Sequence, residues 1–274
     1  MSNIPLLEEE ILRLRKTWHD GIVSEATPIM YEGGASAVLL LHGFTGSPWE
    51  FRTLAAALHE RGFTVYAPLL PGHGTDPDDL SKTTARDWID AAERAYDELA
   101  KKCTSVSVTG FSMGGTLAMY LAATRKVERL LLLAPFVRIY RSPNAWISPE
   151  LKIGTVGRLV RYYRKTRVGG IHDLSKLREH FAYYNISLRA LRQALKNVRR
   201  VRKLQKEITT PTLILHSKND KTVDWKGSQE IIDTISSHSK RVVWFERSNH
   251  ILMLDYDREE VLRYCIEFLS GNDL

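Results

Sequence analysis

The chain has 274 residues, enough to bury a large core, and its 43% hydrophobic and 26% charged content is ordinary for a soluble globular protein. No apolar run approaches the roughly 20 residues that cross a bilayer, and the acidic start through Glu8, Glu9 and Glu10 lacks the basic and apolar parts of a secretory signal, so a cytoplasmic location is expected. The net charge of +7 is uneven: residues 137–206 hold 18 Lys and Arg against Glu150, Asp173 and Glu179, about +15, which leaves the rest at about −8.

In chain order, residues 5–20 carry Leu6, Leu7, Ile11, Leu12 and Leu14 among charges and predict a short amphipathic helix. Ala37–Leu41 is a continuous apolar run of the kind found in strands buried on both faces. A helix is expected over residues 48–61, with Ser47 as N-cap, Pro48 at its first position and Gly62 at its end. Residues 63–67 predict a strand, 84–101 a helix, 104–109 a strand, and 129–134 another strand after a helix reaching about Thr124. Beyond the basic stretch, 211–216 and 241–245 read as strands around a helix near 225–236, and 257–269 as a last helix. Strands alternating with helices imply a mainly parallel sheet covered by helices on both faces. The basic stretch interrupts the alternation. It is expected to be a cap inserted at 137–206 into a core of 1–136 and 207–274, with Leu188, Leu191, Leu195, Val198 and Val201 as the apolar stripe of one helix.

The chemistry centres on Gly110-Phe111-Ser112-Met113-Gly114, which lies between a strand pattern and a helix pattern. A sharp strand-to-helix turn pushes the serine hydroxyl outward, and glycines on either side leave room for it. Serine is a weak nucleophile until a base takes its proton and a third group orients that base. The acid and the histidine should follow late strands in that order; Asp220 in Ser217-Lys218-Asn219-Asp220 and His250 in Arg247-Ser248-Asn249-His250 satisfy both conditions. Asp224 competes with Asp220 from the same loop. His216 at a strand end and His238 in a polar turn are poorer bases. His42 and His73, in glycine-containing turns, suit backbone hydrogen bonding. Oxyanion donors are expected from the backbone amides of Met113 and of Phe44 in His42-Gly43-Phe44-Thr45-Gly46. Trp49, Phe111, Phe136, Trp146 and Ile251, with Phe44 and Leu252, are candidates to line an acyl pocket. Cys103 and Cys265 have no metal-ligand spacing and read as core residues, with a disulfide between them left open.

These motifs, with Leu39-Leu40-Leu41-His42-Gly43-Phe44-Thr45-Gly46, Pro71-Gly72-His73-Gly74-Thr75 and Ser248-Asn249-His250, resemble the bacterial monoacylglycerol lipase and carboxylesterase family of α/β-hydrolases. The similarity runs from about Tyr31 to Leu269. It implies an α/β-hydrolase core with a small cap, a Ser112–His250–Asp220 triad, Phe44 and Met113 amides as oxyanion hole, and hydrolysis of short- to medium-chain acyl esters or monoacylglycerols without cofactor or metal. The alternatives are a thioesterase or another acyl-bond hydrolase on the same triad, and a non-catalytic ligand binder. A serine at 112 argues against the aspartate-nucleophile chemistries of this fold. No nucleic-acid motif accompanies the basic cap, for which contact with anionic lipid or acidic substrates is expected.

Overall fold

The computed structural model describes residues 18–19, 22–142, 149–155, 160–164 and 170–272. Most of the helix expected at 5–20 lies outside these residues; near its end, β1 (Trp18–His19) pairs antiparallel with β2 (Ile22–Val23), so Trp18 and His19 are extended.

In chain order there follow β3 (Ile29–Tyr31), β4 (Ser36–Leu41), α1 (Arg52–His59), β5 (Thr64–Ala67), α2 (Pro77–Lys82), α3 (Ala85–Lys102), β6 (Ser105–Phe111), α4 (Met113–Thr124) and β7 (Leu130–Leu133). The stretch after β7 contributes α5 (Pro149–Thr155), a hairpin of β8 (Tyr162–Arg164) and β9 (Asn185–Ser187), and α6 (Leu188–Leu204). Then come β10 (Thr212–Ser217), α7 (Lys226–Thr234), β11 (Lys240–Phe245) and α8 (Arg258–Leu269). The main sheet has seven strands in the order β11-β10-β7-β6-β4-β5-β3, all parallel except β3, which runs antiparallel to β5 at the edge. This is an α/β-hydrolase fold.

The central strands are apolar along their whole length because both sheet faces are covered. Val38, Leu40, Leu131, Leu133, Leu213 and Leu215 pack with α1 and α8 on one side, through Leu54, Leu58, Val261 and Phe268. Leu39, Leu41, Val106, Val108, Leu130, Leu132 and Ile214 pack with α3 and α4 on the other, through Trp88, Leu99, Leu117 and Leu121. α6 joins that second cluster with Ala190, Ala194, Val198 and Val201, and Asn197 Nδ2 donates to the Ala85 carbonyl at 2.9 Å. Leu195, Val198 and Val201 of its apolar stripe are therefore core, while its basic face points outward.

Two local expectations change. Ser47 is extended and makes no side-chain cap bond; Pro48–Phe51 form a tight 3-10 turn and the α-helix starts only at Arg52. The cause lies in Glu50, whose carboxylate turns inward to accept from the Gly43 amide at 2.9 Å. The second change is an added helix, α2, capped by Asp76, whose carboxylate accepts from the Asp78 amide at 2.8 Å. Cys103 and Cys265 are free; they belong to the opposite clusters, and burial pushes the Cys265 thiol upward.

Candidate active site

Parallel pairing brings the carboxyl ends of the strands to one edge: Leu41 pairs with Gly110, Phe111 with Leu133, Leu133 with Leu215, and Ser217 with Phe245. Loops leaving that edge are the usual place for ligands in an open α/β sheet. They carry His42–Gly46, Ser112, Phe136, Asp220 and His250.

Ser112 joins β6 to α4 with φ 51° and ψ −115°, a left-handed backbone that a non-glycine residue adopts only when its surroundings hold it. The neighbours explain what holds it. A Cβ at Gly110 would lie 2.3 Å from the Gly114 carbonyl oxygen, and one at Gly114 would lie 1.8 Å from the Leu41 carbonyl oxygen. Helix α4 therefore begins in direct backbone contact with the end of β4 and the loop after it. The Met113 amide, in the first turn of α4, and the Phe44 amide donate to no acceptor among the described residues.

The Ser112 hydroxyl donates to His250 Nε2 at 3.0 Å, and His250 Nδ1–H donates to Asp220 Oδ2 at 2.6 Å. All three side chains are buried. Burial alone would raise the Asp220 pKa, but the nearby His250 charge and the hydrogen bonds from His216 and His250 outweigh it and hold the carboxyl well below the usual carboxylate range. Its other oxygen, Oδ1, accepts from the Thr222 and Val223 amides at 2.7 and 2.8 Å. Asp220 is thus an ionised, fully hydrogen-bonded group suited to fix an imidazole tautomer. Asp224, the competing acid, instead lies 3.3 Å from Arg138.

His216 plays a part that strand position alone did not suggest. Fully buried, it donates from Nε2 to Asp220 Oδ2 at 3.0 Å and accepts from the Ser228 hydroxyl at Nδ1, 2.6 Å away. The available signal was a histidine inside an apolar strand, because a buried polar group needs partners. His42 and His73 bond the backbone as expected. His42 Nε2 accepts from the Leu70 amide at 3.0 Å, so its proton sits on Nδ1 and goes to the Gly43 carbonyl, also at 3.0 Å. Burial holds the His42 pKa well below the ordinary value and brings that of His73 down to about 4.

Ser112 and His250 open onto a cavity of about 730 Å³. Phe44, Phe111, Phe136 and Ile251 line it, joined by Ile139, Tyr140, Ile153, Leu188, Leu191 and Val223. Trp49 is not part of this wall: its ring lies under the Arg52 guanidinium at 4.7 Å on the outer side of the 3-10 turn. Leu252 is buried in the core below. Trp146 lies outside the described residues. Sequence reasoning also passed over Glu50 and His180, which bring a carboxylate and an imidazole to the cavity wall. A carboxylate is legible there only once the loop is seen to fold back onto Gly43.

Residues 34–257 match the family described as serine aminopeptidase, S33. The chain is 34% identical to a thermostable monoacylglycerol lipase of Bacillus sp. (strain H-257), over 91% of its own length and 96% of that protein. It is 28% identical to a carboxylesterase of Bacillus subtilis (strain 168), over 90% and 97%. Among solved structures it resembles a metagenome-derived lipolytic enzyme with a TM-score of 0.80 and 27% identity, covering 91% of this chain and 99% of that one. A monoacylglycerol lipase from Paleococcus ferrophilus shares the fold with a TM-score of 0.77 at 21% identity, over 89% and 98%. The chain belongs to the serine aminopeptidase S33 family of α/β-hydrolases, on its monoacylglycerol lipase and carboxylesterase branch.

Proposed function

We propose that the protein is a serine esterase that hydrolyses monoacylglycerols and related short- to medium-chain acyl esters through an acyl-enzyme. The observation that carries this reading is the continuous Ser112–His250–Asp220 hydrogen-bond chain at the mouth of an apolar cavity. His250 takes the Ser112 proton as the hydroxyl attacks the ester carbonyl, then protonates the departing alcohol, and finally activates water to release the acid. Asp220 stays ionised and holds the proton of His250 on Nδ1. The Phe44 and Met113 amides receive the negative charge of the tetrahedral intermediate; one such donor is worth about 3–4 kcal/mol.

The acyl chain is assigned to the apolar side of the cavity, against Phe136, Ile139, Ile153, Leu191 and Val223. Residues 137–206 are assigned as the cap, since α5, the β8–β9 hairpin and the start of α6 supply much of that lining. Side-by-side rates on glyceryl monoesters, aryl esters and acyl thioesters of one chain length test the reading. Turnover confined to thioesters would replace it.

The outward face of α6 presents Lys196, Arg199, Arg200 and Lys203, exposed and without a carboxylate partner among the described residues. This surface is assigned to peripheral contact with anionic lipid. Co-sedimentation should be stronger with phosphatidylglycerol vesicles than with neutral ones and should weaken at high salt; equal partitioning would remove the assignment. Cytoplasmic residence is part of the proposal. No helix among the described residues is long and apolar enough to cross a membrane.

A further inference from the structure

We infer that Glu50 and His180 form a hydroxyl-binding subsite for the alcohol half of the substrate, which selects a polyol leaving group such as glycerol over a simple alkyl alcohol. The inference rests on the ester-hydrolase reading and assigns residues that the reading leaves without a role.

Glu50 lines the cavity with only 6% of its surface exposed. A carboxylate removed from water needs compensating donors, and two face it here. The Gly43 amide donates to Oε2 at 2.9 Å, and His180 Nε2 lies 3.5 Å from Oε1. The second separation exceeds a good hydrogen bond. Oε1 therefore retains acceptor capacity, and His180 lines the same cavity beside it.

The position relative to the reacting atoms points to the alcohol. Phe111 precedes Ser112, its ring lies 5.0 Å from the His250 ring, and a Cβ on Gly43 would touch it at 3.0 Å. Glu50, Gly43, Phe111 and His250 thus make one continuous wall. Phe111 and Ile251 belong to the hydrophobic cluster on one face of the sheet. Phe136 and Val223, with Ile139, Ile153 and Leu191 packed on them, belong to the cluster on the other. Phe136, Ile139, Ile153 and Leu191 give the cavity an apolar stretch, Tyr140, Lys221 and Thr222 add polar atoms beside Val223, and the wall next to Gly43 and Phe111 carries the Glu50 carboxylate and the His180 imidazole. The leaving oxygen must lie against His250 to receive its proton, so the alcohol is assigned to the wall that runs from the His250 ring through Phe111 to Glu50, and the acyl chain to the apolar stretch.

His180 is held over this wall by its neighbours. Arg52 Nη2 pairs with Glu179 Oε2 at 2.6 Å, and the Tyr183 amide donates to the Thr45 carbonyl at 3.0 Å. The stretch after β7 is thereby tied to the start of α1 on one side of His180 and to the oxyanion loop on the other.

The test compares glyceryl monolaurate with ethyl laurate, which share an acyl chain, for the wild type, Glu50→Gln and His180→Phe. The glutamine keeps an oxygen for the Gly43 amide but loses the charge. The glyceryl-to-ethyl ratio of kcat/KM should fall about tenfold in each variant, because a site built to bond a hydroxyl discriminates through it. Inhibition by free glycerol should weaken in parallel. Stoichiometric labelling of Ser112 by a fluorophosphonate controls for folding. An unchanged ratio, including an equal loss on both esters, overturns the subsite and leaves Glu50 as a support for the oxyanion loop. A selective loss on aminoacyl anilides bearing a free amine would also overturn it, assigning the carboxylate to an ammonium group instead. A wild type inert toward both esters would sink the ester reading itself, and this assignment with it.

Discussion

The strand ends of the core and the stretch between β7 and β10 meet at one cavity but are built on different principles. On the core side, position is fixed by backbone. Ser112 is held in a strained turn because Gly110 and Gly114 leave no space for side chains, and Asp220 is held by two amides and two imidazoles. On the other side, α5, the β8–β9 hairpin and α6 supply shape through Ile153, Tyr163, Ile186, Leu188 and Leu191, with few polar atoms. On the proposed reading, the first region sets which bond is attacked and the second sets which molecule is placed against it. Substitutions should separate the two: core changes should lower turnover of every ester, and changes in the stretch after β7 should reorder substrates.

The largest effect belongs to the nucleophile. Ser112→Ala should lower kcat by about a millionfold on all esters, leaving only what binding and the oxyanion amides supply; initial rates on an aryl ester measure it. Gly114→Ala comes next. A Cβ there collides with the Leu41 carbonyl, so the loop carrying the Phe44 amide must move, and losing that donor should cost about a hundredfold in kcat. Were the alanine variant fully active, the close packing of α4 on the oxyanion loop would have no catalytic meaning.

Intermediate effects fall on either side of the comparison. His216→Leu removes one donor from the Asp220 carboxylate, and a hydrogen bond to a charged group is worth about 1.5–3 kcal/mol, so kcat should fall about tenfold or more. His216→Gln, which can still donate, should recover part of this, and equal losses in both variants would mark His216 as packing alone. Leu191→Trp, in contrast, should move the preferred acyl chain to shorter lengths, with about a tenfold loss on the longest esters and little on acetyl esters. A uniform loss across chain lengths would place Leu191 outside the acyl path.

A last effect falls on stability rather than on rate. Unfolded His73 takes up a proton near pH 6.5, whereas the folded form, buried, does so only at about 4. Its contribution is complete above about pH 6.5 and is lost as pH falls toward 4, at up to about 1.4 kcal/mol per pH unit. Urea titrations across that window should show the slope in the wild type and a shallower one in His73→Leu.

Much of the core was readable in sequence because its signals are local. Continuous apolar runs mark strands covered on both faces, and the helix expected at 84–101 lies within one residue of α3. The nucleophile turn is equally local. What escaped depends on contacts distant in sequence. β3 is three residues long at a half-exposed edge, too short to show a period. Ser47 precedes a proline and looks like a cap, but the inward turn of Glu50 tightens the first turn and moves the helix start to Arg52. Trp49, beside Glu50, is consequently carried to the outer side. His216 reaches Asp220 only because the loop after β10 folds back, and His180 meets Glu50 from 130 positions away in the chain.

The central claim, that Ser112 carries the acyl group, is tested most directly by acid-quenching the enzyme during turnover of a p-nitrophenyl acyl ester and mapping the added mass. One acyl group on Ser112, absent from Ser112→Ala, is the expected result. An adduct on another residue, or steady turnover by Ser112→Ala, would contradict the account.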